Sequence, residues 1–316
     1  MPLHSDVHID RPLSNFAVEY SNKKFIASQV APFVPVNNKS DSFIVYNKAD
    51  KFSLPEDLRG PKSEAKEVTW GSSSDTYGCI DRALRDFLAD AIIANSDPGV
   101  NPQQRTTNFL TDLLLLKFEK RVVDLVTTYA NYGSSYKTTL SGTTQLSDFA
   151  ASDPIGVIDT AKSACFIDPN TIIMSKEVFD KIKRHPQLLD HVKGGSNNTS
   201  PAKVNAQTMA EIFEVDQILI GEAKYNSAIK GQTATYSSLW GKHIVVAYID
   251  PAVTLESVTA WKTFRWNQVS TGSGFKVRRY RDEAKGGGGE WIEVEMSVIE
   301  KAVCSDLAYM IKDAIA

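Results

Sequence analysis

KVRRYRDEAKGGGGEWIEVEM, residues 276–296, sets a basic run, four consecutive glycines and an acidic run side by side, where the glycines either hold a phosphate or let two charged strands turn back on each other. A phosphate-cradling loop needs its glycines after a strand and directly before a helix, with a Lys-Ser/Thr pair or a third spaced glycine. Gly286 to Gly289 are followed instead by EWIEVEMSV, in which Ile292, Val294, Met296 and Val298 alternate with Glu293, Glu295 and Ser297. A period of two describes a strand with one buried face. On the other side, Phe275 and Val277 alternate with Lys276 and Arg278, and Arg279 and Arg281 extend the basic run. Opposite charges on paired strands stabilise the pairing by about 0.2–1 kcal/mol per pair, so the segregated charge needs no ligand. The glycines therefore predict a turn between two charged strands. TGSGFKV, residues 271–277, has two spaced glycines and leads into a strand, so it makes no dinucleotide fingerprint either.

Outward from this hairpin, TAWKTFRWNQ (259–268) also has strand periodicity, and the strongest single pattern lies upstream. In TTNFLTDLLLLKFEKRVVDLVTTYAN, residues 106–131, Leu110, Leu114, Phe118, Val122, Leu125 and Tyr129 recur at three- and four-residue steps, with Asp112, Glu119, Lys120 and Asp124 falling largely elsewhere. That predicts a long amphipathic helix of roughly 35–40 Å. RALRDFLADAIIAN (82–95) predicts a helical piece before it, and the Gly-, Ser- and Thr-rich stretch 133–153 a loop after it. From residue 154 helices and strands alternate. PIGVIDTAKSACF, KEVFDKIKRHPQLLDHV and TMAEIF read as helices, and TIIMS, DQILIGEAKYN and HIVVAYID as strands, which together indicate a compact α/β module.

Residues 1–39 carry Pro2, Pro12, Pro32 and Pro35 without a sustained period and predict an extended arm that needs a surface to lie on. SFIVYNK (42–48) and KEVTWGSSSDTYGCID (66–81) read as two strands separated by a charged stretch broken at Pro55, Gly60 and Pro61. A lone hairpin of this kind is marginal in water and must find another surface, on its own chain or on a neighbour.

Composition narrows the function classes. The 316 residues are 42% hydrophobic with a formal charge of −3, so the chain can bury a core, and its main task is not the coating of nucleic acid. Cys79, Cys165 and Cys304 are odd in number and lack CxxC spacing, which suits reduced structural thiols in a cytosolic setting. Asp6 and Asp10 stand where a signal peptide needs an apolar core, and no apolar run approaches the ~20 residues of a membrane helix. His4 and His8 have helical spacing but lie in the arm, and His185 and His191 flank Pro186 at an unsuitable distance, so no metal site is expected, nor a cofactor. Asn197 and Asn198 form glycosylation-like triplets with Thr199 and Ser200 and read as a loop. No nucleophile elbow, zinc-protease or Walker motif is present.

The order of these parts resembles the major capsid proteins of tailed bacteriophages, with the Hong Kong 97-like fold. FIASQVAPFVPVNNKSDSFIVYNKADKF followed by LRGPKSEAKEV resembles the arm and extended loop of one capsid group, and TTNFLTDLLLLKFEKRVVDLV its spine helix. The run from SDPIGVIDTAKSACF to LLDHV, with IFEVDQILIGEAKYN and LWGKHIVVAYIDP, is similar to the axial domain. FKVRRYRDE and EWIEVEM resemble the charged strands of the peripheral domain.

The resemblance implies an α+β chain with an N-terminal arm (1–39), an extended β-hairpin loop (40–86), a peripheral domain with the spine helix (87–153), an axial α/β domain (154–251), peripheral strands (252–303) and a C-terminal segment returning to the axial domain (304–316). It implies hexamers and pentamers of a virion shell enclosing double-stranded DNA with weak, non-specific contact, built in the host cytoplasm without a membrane. A separate scaffolding protein is expected because no long helical segment precedes the arm. A portal and a cement or decoration protein are further expected partners. Arg59, Lys62, Glu64 and Lys66 near the loop tip, and Arg278, Arg279 and Arg281 against Glu293 and Glu295, are the candidate inter-subunit contacts. No lysine, asparagine and glutamate trio for covalent crosslinking can be matched. Two alternatives are a soluble α/β enzyme with its site within residues 154–251 and a nucleic-acid binder acting through residues 276–281.

Overall fold

The computed structural model describes residues 25–46, 48–69, 71–96, 101–193, 203–229, 231–250, 252, 254–269, 274–285 and 287–316. His4, His8, Asn197 and Asn198 lie outside the described residues. A one-turn helix α1 (Ala27–Val30) and strand β1 (Phe33–Val36) lead into β2 (Ser40–Tyr46), a short helix α2 (Lys48–Lys51), β3 (Ser72–Gly78), β4 (Ile80–Ala89), α3 (Asp90–Ala94) and the long helix α4 (Pro102–Thr127). Next come β5 (Lys137–Thr139), α5 (Pro154–Ala164), β6 (Thr171–Ser175), α6 (Lys176–Ile182), α7 (Pro186–Lys193), α8 (Ala206–Ile212) and β7 (Gln217–Gly221). The chain ends with β8 (Lys224–Asn226), β9 (Tyr236–Ser238), β10 (Ile244–Ala247), β11 (Trp261–Trp266), β12 (Lys276–Asp282), β13 (Gly289–Ala302) and β14 (Ala308–Lys312).

One five-stranded sheet runs β1-β11-β13-β12, with β4 also paired to β13. The other runs β5-β14-β10-β6-β7. β13 organises the first, pairing antiparallel with β12 from Gly289 to Glu295 and with β4 from Gly289 to Val298. Its inward residues Ile292, Val294, Met296 and Val298 are at most 2% exposed and pack under α4. The predicted alternation holds for the apolar face, but Glu295 and Ser297, read as the open face, are buried as well, so from Val294 to Val298 the strand is covered on both sides. The same core includes Ile173, Leu219, Val245 and Met310 of the second sheet, whose other face packs Ile172, Met174, Ile244 and Ile311 against α5, α6, α7 and α8 in a second core.

The long helix starts earlier and stops earlier than its apolar period predicts. Asn101 caps it by accepting from the Gln104 amide at 3.1 Å, and Pro102 occupies the first turn, where its missing N–H costs nothing. At the other end the Asn131 side chain donates to the Leu125 carbonyl at 2.7 Å and the Tyr132 hydroxyl to the Val126 carbonyl at 2.6 Å, terminating the helix.

Three expectations are corrected. Residues 82–95 are not a helix: β4 runs to Ala89 and only Asp90–Ala94 is helical, because β13 offers ten consecutive partners from Ala89↔Gly289 to Ile80↔Val298. The single helix read over 176–192 is two, broken before Pro186, which cannot continue the hydrogen-bond ladder. DQILIGEAKYN is not one strand either: β7 lies in the second sheet and β8 pairs with β9 in a separate hairpin.

Ala27–Val36, read as part of an arm needing a surface, finds that surface on its own chain. β1 pairs in parallel with β11, Phe33 stacks on Phe118 at 5.1 Å, and Ala27 and Val30 are fully buried. Glu119, expected away from the apolar stripe, is buried on α4. Its carboxylate accepts from the Ile26 and Ala27 amides at 3.2 and 2.8 Å and from the Trp240 indole at 2.7 Å, joining α1, α4 and the segment before β10. Burial, which outweighs these bonds, pushes its pKa above the ordinary carboxylate value.

Candidate functional site

β2 and β3 form a two-stranded ribbon, from Ser40↔Gly78 to Tyr46↔Ser72, that belongs to neither large sheet. Its root is apolar: Tyr77 stacks on Phe264 at 4.7 Å, Phe43 lies 5.4 Å from the same ring, and Val34, Val36 and Cys79 complete the cluster. Charge reinforces it. The Lys301 ammonium donates to Asp75 Oδ1 and the Thr76 carbonyl, both at 2.5 Å, and Lys39 pairs with Asp81. The Lys301 bond holds the Asp75 carboxyl below its ordinary range, and bonds from Lys39 and then Ser297 do the same for Asp81.

Beyond α2, residues 53–69 are exposed throughout. Leu54 is 98%, Leu58 79% and Val68 60% exposed, so this one stretch holds three apolar side chains in water. The charged residues predicted there are all on this surface. Arg59 Nε donates to the Ser63 carbonyl at 2.7 Å and Lys66 pairs with Glu56, so both contacts stay within the tip, while Lys62 and Glu64 are also exposed.

The second predicted group lies on β12 and β13. Register sets Arg278 opposite Glu293, but its guanidinium reaches diagonally to Glu295, with Glu293 at 3.9 Å. Arg281 turns back to Asp90 at 2.8 Å and Glu283 at 3.3 Å. Arg279 reaches Gln103 Oε1 at 3.4 Å, and Gln103 in turn donates to Glu290 at 2.8 Å. The three arginines thus have partners within their own chain, which ties β12, the outer strand of its sheet, to α3 and α4. Sequence reading missed Trp291 beside them. Its ring carries the Arg85 guanidinium at 4.4 Å and the Lys285 ammonium at 4.3 Å, with Phe87 at 5.2 Å, and its indole donates to Asp282 at 2.9 Å. Its partners come from β4, from the end of β12 and from the turn after it, so no local pattern in the sequence points to it.

The Ser152–His185 pair is arranged for structure rather than nucleophilic attack. The Gln187 amide donates to His185 Nδ1 at 3.3 Å, which leaves Nε2 to donate to Ser152 Oγ at 3.1 Å, and the serine proton goes to the Asp148 carbonyl at 2.5 Å. Burial lowers the His185 pKa, in keeping with a neutral ring. Among the described residues no three His, Cys, Asp or Glu side chains gather to hold a metal ion, and no helix is long and apolar enough to cross a membrane.

No family model matches the chain. It is 31% identical over 310 residues, 98% of this chain and 97% of the relative, to the major capsid protein of Pseudomonas phage JBD67. A phage-related protein from Bordetella bronchiseptica RB50 superposes with a TM-score of 0.71 at 21% identity, covering 96% of each chain. The capsid structure of cyanophage P-SCSP1u superposes with a TM-score of 0.60 at 14% identity, over 93% of this chain and 90% of that one.

Proposed function

Since this chain belongs to the major capsid proteins of tailed phages, with the Hong Kong 97-like fold, we propose that its copies assemble as hexamers and pentamers into an icosahedral head shell around double-stranded DNA. The observation that carries this reading is the extension: a ribbon rooted by Tyr77, Phe264 and Lys301 whose tip leaves Leu54, Leu58 and Val68 in solvent. Full burial of each such side chain is worth about 1.5–3 kcal/mol, and since no other described residue covers them, the reading assigns that surface to a neighbouring copy. Arg59, Lys62, Glu64 and Lys66 flank those residues and set the register of the contact. Arg278, Arg279, Arg281, Glu293 and Glu295 add to it only through the donors and acceptors left over from their in-chain pairs.

The domain division read from the sequence belongs to the same proposal, with β4 carrying the chain from the loop into the first sheet. A separate scaffolding protein, a portal and a cement or decoration protein are its partners, the role is structural rather than catalytic, and assembly takes place in the host cytoplasm. The charge of −3 fits a shell that touches its DNA weakly and without sequence preference. Electron microscopy of the purified protein, with and without a scaffold partner, tests the reading. Closed shells are expected with the scaffold, and small uniform oligomers under every condition would overturn it.

A further inference from the structure

The extension is held at a second point beyond its root. The Lys48 ammonium of α2 lies 2.5 Å from Asp306 Oδ2 and 3.2 Å from the centre of the Phe166 ring, and the Phe52 ring meets Phe166 edge-on at 5.0 Å. The receiving surface is itself fixed, because the Phe166 amide donates to the Asp306 carbonyl at 3.1 Å. Phe166 follows α5 and Asp306 precedes β14, so this anchor stands on the side of the second sheet, whereas the Tyr77–Phe264 root stands on the first. Asp50 closes the loop above α2: its Oδ2 accepts from the Gly71 amide at 2.8 Å and its carbonyl from the Ser53 hydroxyl at 2.9 Å.

One anchor leaves a ribbon free to swing about its root. Two anchors on different parts of the body define a direction. The Lys48 and Asp306 side chains are 42% and 29% exposed, so their ion pair is weak alone, but the ammonium is also set over an aromatic face, where it gains cation–π attraction. We propose that Lys48, Phe52, Phe166 and Asp306 form a positioning latch that fixes the direction in which the extension leaves its own subunit, so that neighbouring copies meet tips already aimed. This rests on the assembly reading above.

Two measurements separate the latch from that reading. In the isolated subunit the Phe52 amide donates to the Lys48 carbonyl at 3.2 Å, and its hydrogen exchange reports whether α2 is docked. Lys48→Met keeps the stem without the charge, and Phe166→Leu removes the ring. Each is expected to speed exchange there about tenfold while β4 and β13 keep wild-type protection. Lys48→Arg keeps a cation over the ring and is expected to exchange as the wild type does. Unchanged exchange in both Lys48→Met and Phe166→Leu overturns the latch, whatever the protein assembles into.

The second measurement is electron microscopy of the same variants with a scaffold partner. Mixed particle sizes and open sheets are expected where the wild type gives uniform shells, and uniform shells from Lys48→Met overturn the positioning role. A wild type that forms no shells counts against the assembly reading, and the exchange measurement then decides the latch by itself.

Discussion

Glu119 sits fully buried on α4 with three donors aimed at its two oxygens. Replacing it with alanine strands the Ile26 and Ala27 amides and the Trp240 indole together. Urea unfolding of Glu119→Ala is therefore expected to show a loss of about 2–4 kcal/mol, since each of the three stranded donors costs about 1–3 kcal/mol and the desolvation of the removed carboxylate offsets part of that sum. The pH response has a definite sign. Because burial raises the folded pKa above the ordinary carboxylate value, the folded state holds the proton more tightly than the unfolded one. The resulting stability is fully present below the ordinary value and is lost as pH rises through the folded one. The stability of the wild type relative to Glu119→Gln should fall as pH rises through that window, and a flat difference would refute the dominance of burial. No local pattern announces this residue. A glutamate among Lys117, Lys120 and Asp124 reads as solvated helix, and its partners are 92 to 121 residues away in sequence.

At the scale of elements, the glycine turn shows two separate constraints. Gly287 adopts φ +83° in open space, whereas a side chain at Gly289 would place its first carbon 2.5 Å from the Leu88 carbonyl oxygen. Gly287→Ala is expected to cost about 1–2 kcal/mol through backbone strain alone. Gly289→Ala must also separate β13 from β4 and is expected to cost about 1–3 kcal/mol by overpacking, with raised exchange at the neighbouring Leu88–Asp90 amides. Equal exchange in the two variants would argue against the crowding. This hairpin was legible because its information is local: alternation, opposite charge and glycine all lie within residues 276–296. β4 was not, because Leu84 and Leu88 fit a helical stripe as well as a strand, and the decision belongs to β13 some two hundred residues later. The positions of the predicted arginines were readable for the same local reason, while their partners Asp90 and Gln103 were not.

For the whole molecule, the contact proposed for the exposed tip can be tested apart from folding. Leu54→Ser together with Leu58→Ser touches residues that contribute little to the subunit's own core, so its stability should stay within about 0.5 kcal/mol of the wild type. Shell yield in the presence of scaffold should drop sharply, and sedimentation would show subunits or small rings in place of closed particles. Normal yield would remove the tip from the contact. The ladder between β4 and β13 has one more consequence. Only Cys79 separates β3 from β4, and β4 lies against β13 over ten residue pairs. A lengthwise tug on the ribbon, such as a swelling container exerts on its joints, strains those rungs in parallel instead of peeling them apart one after another, so the extension is moored to its own subunit in the manner of a lap joint.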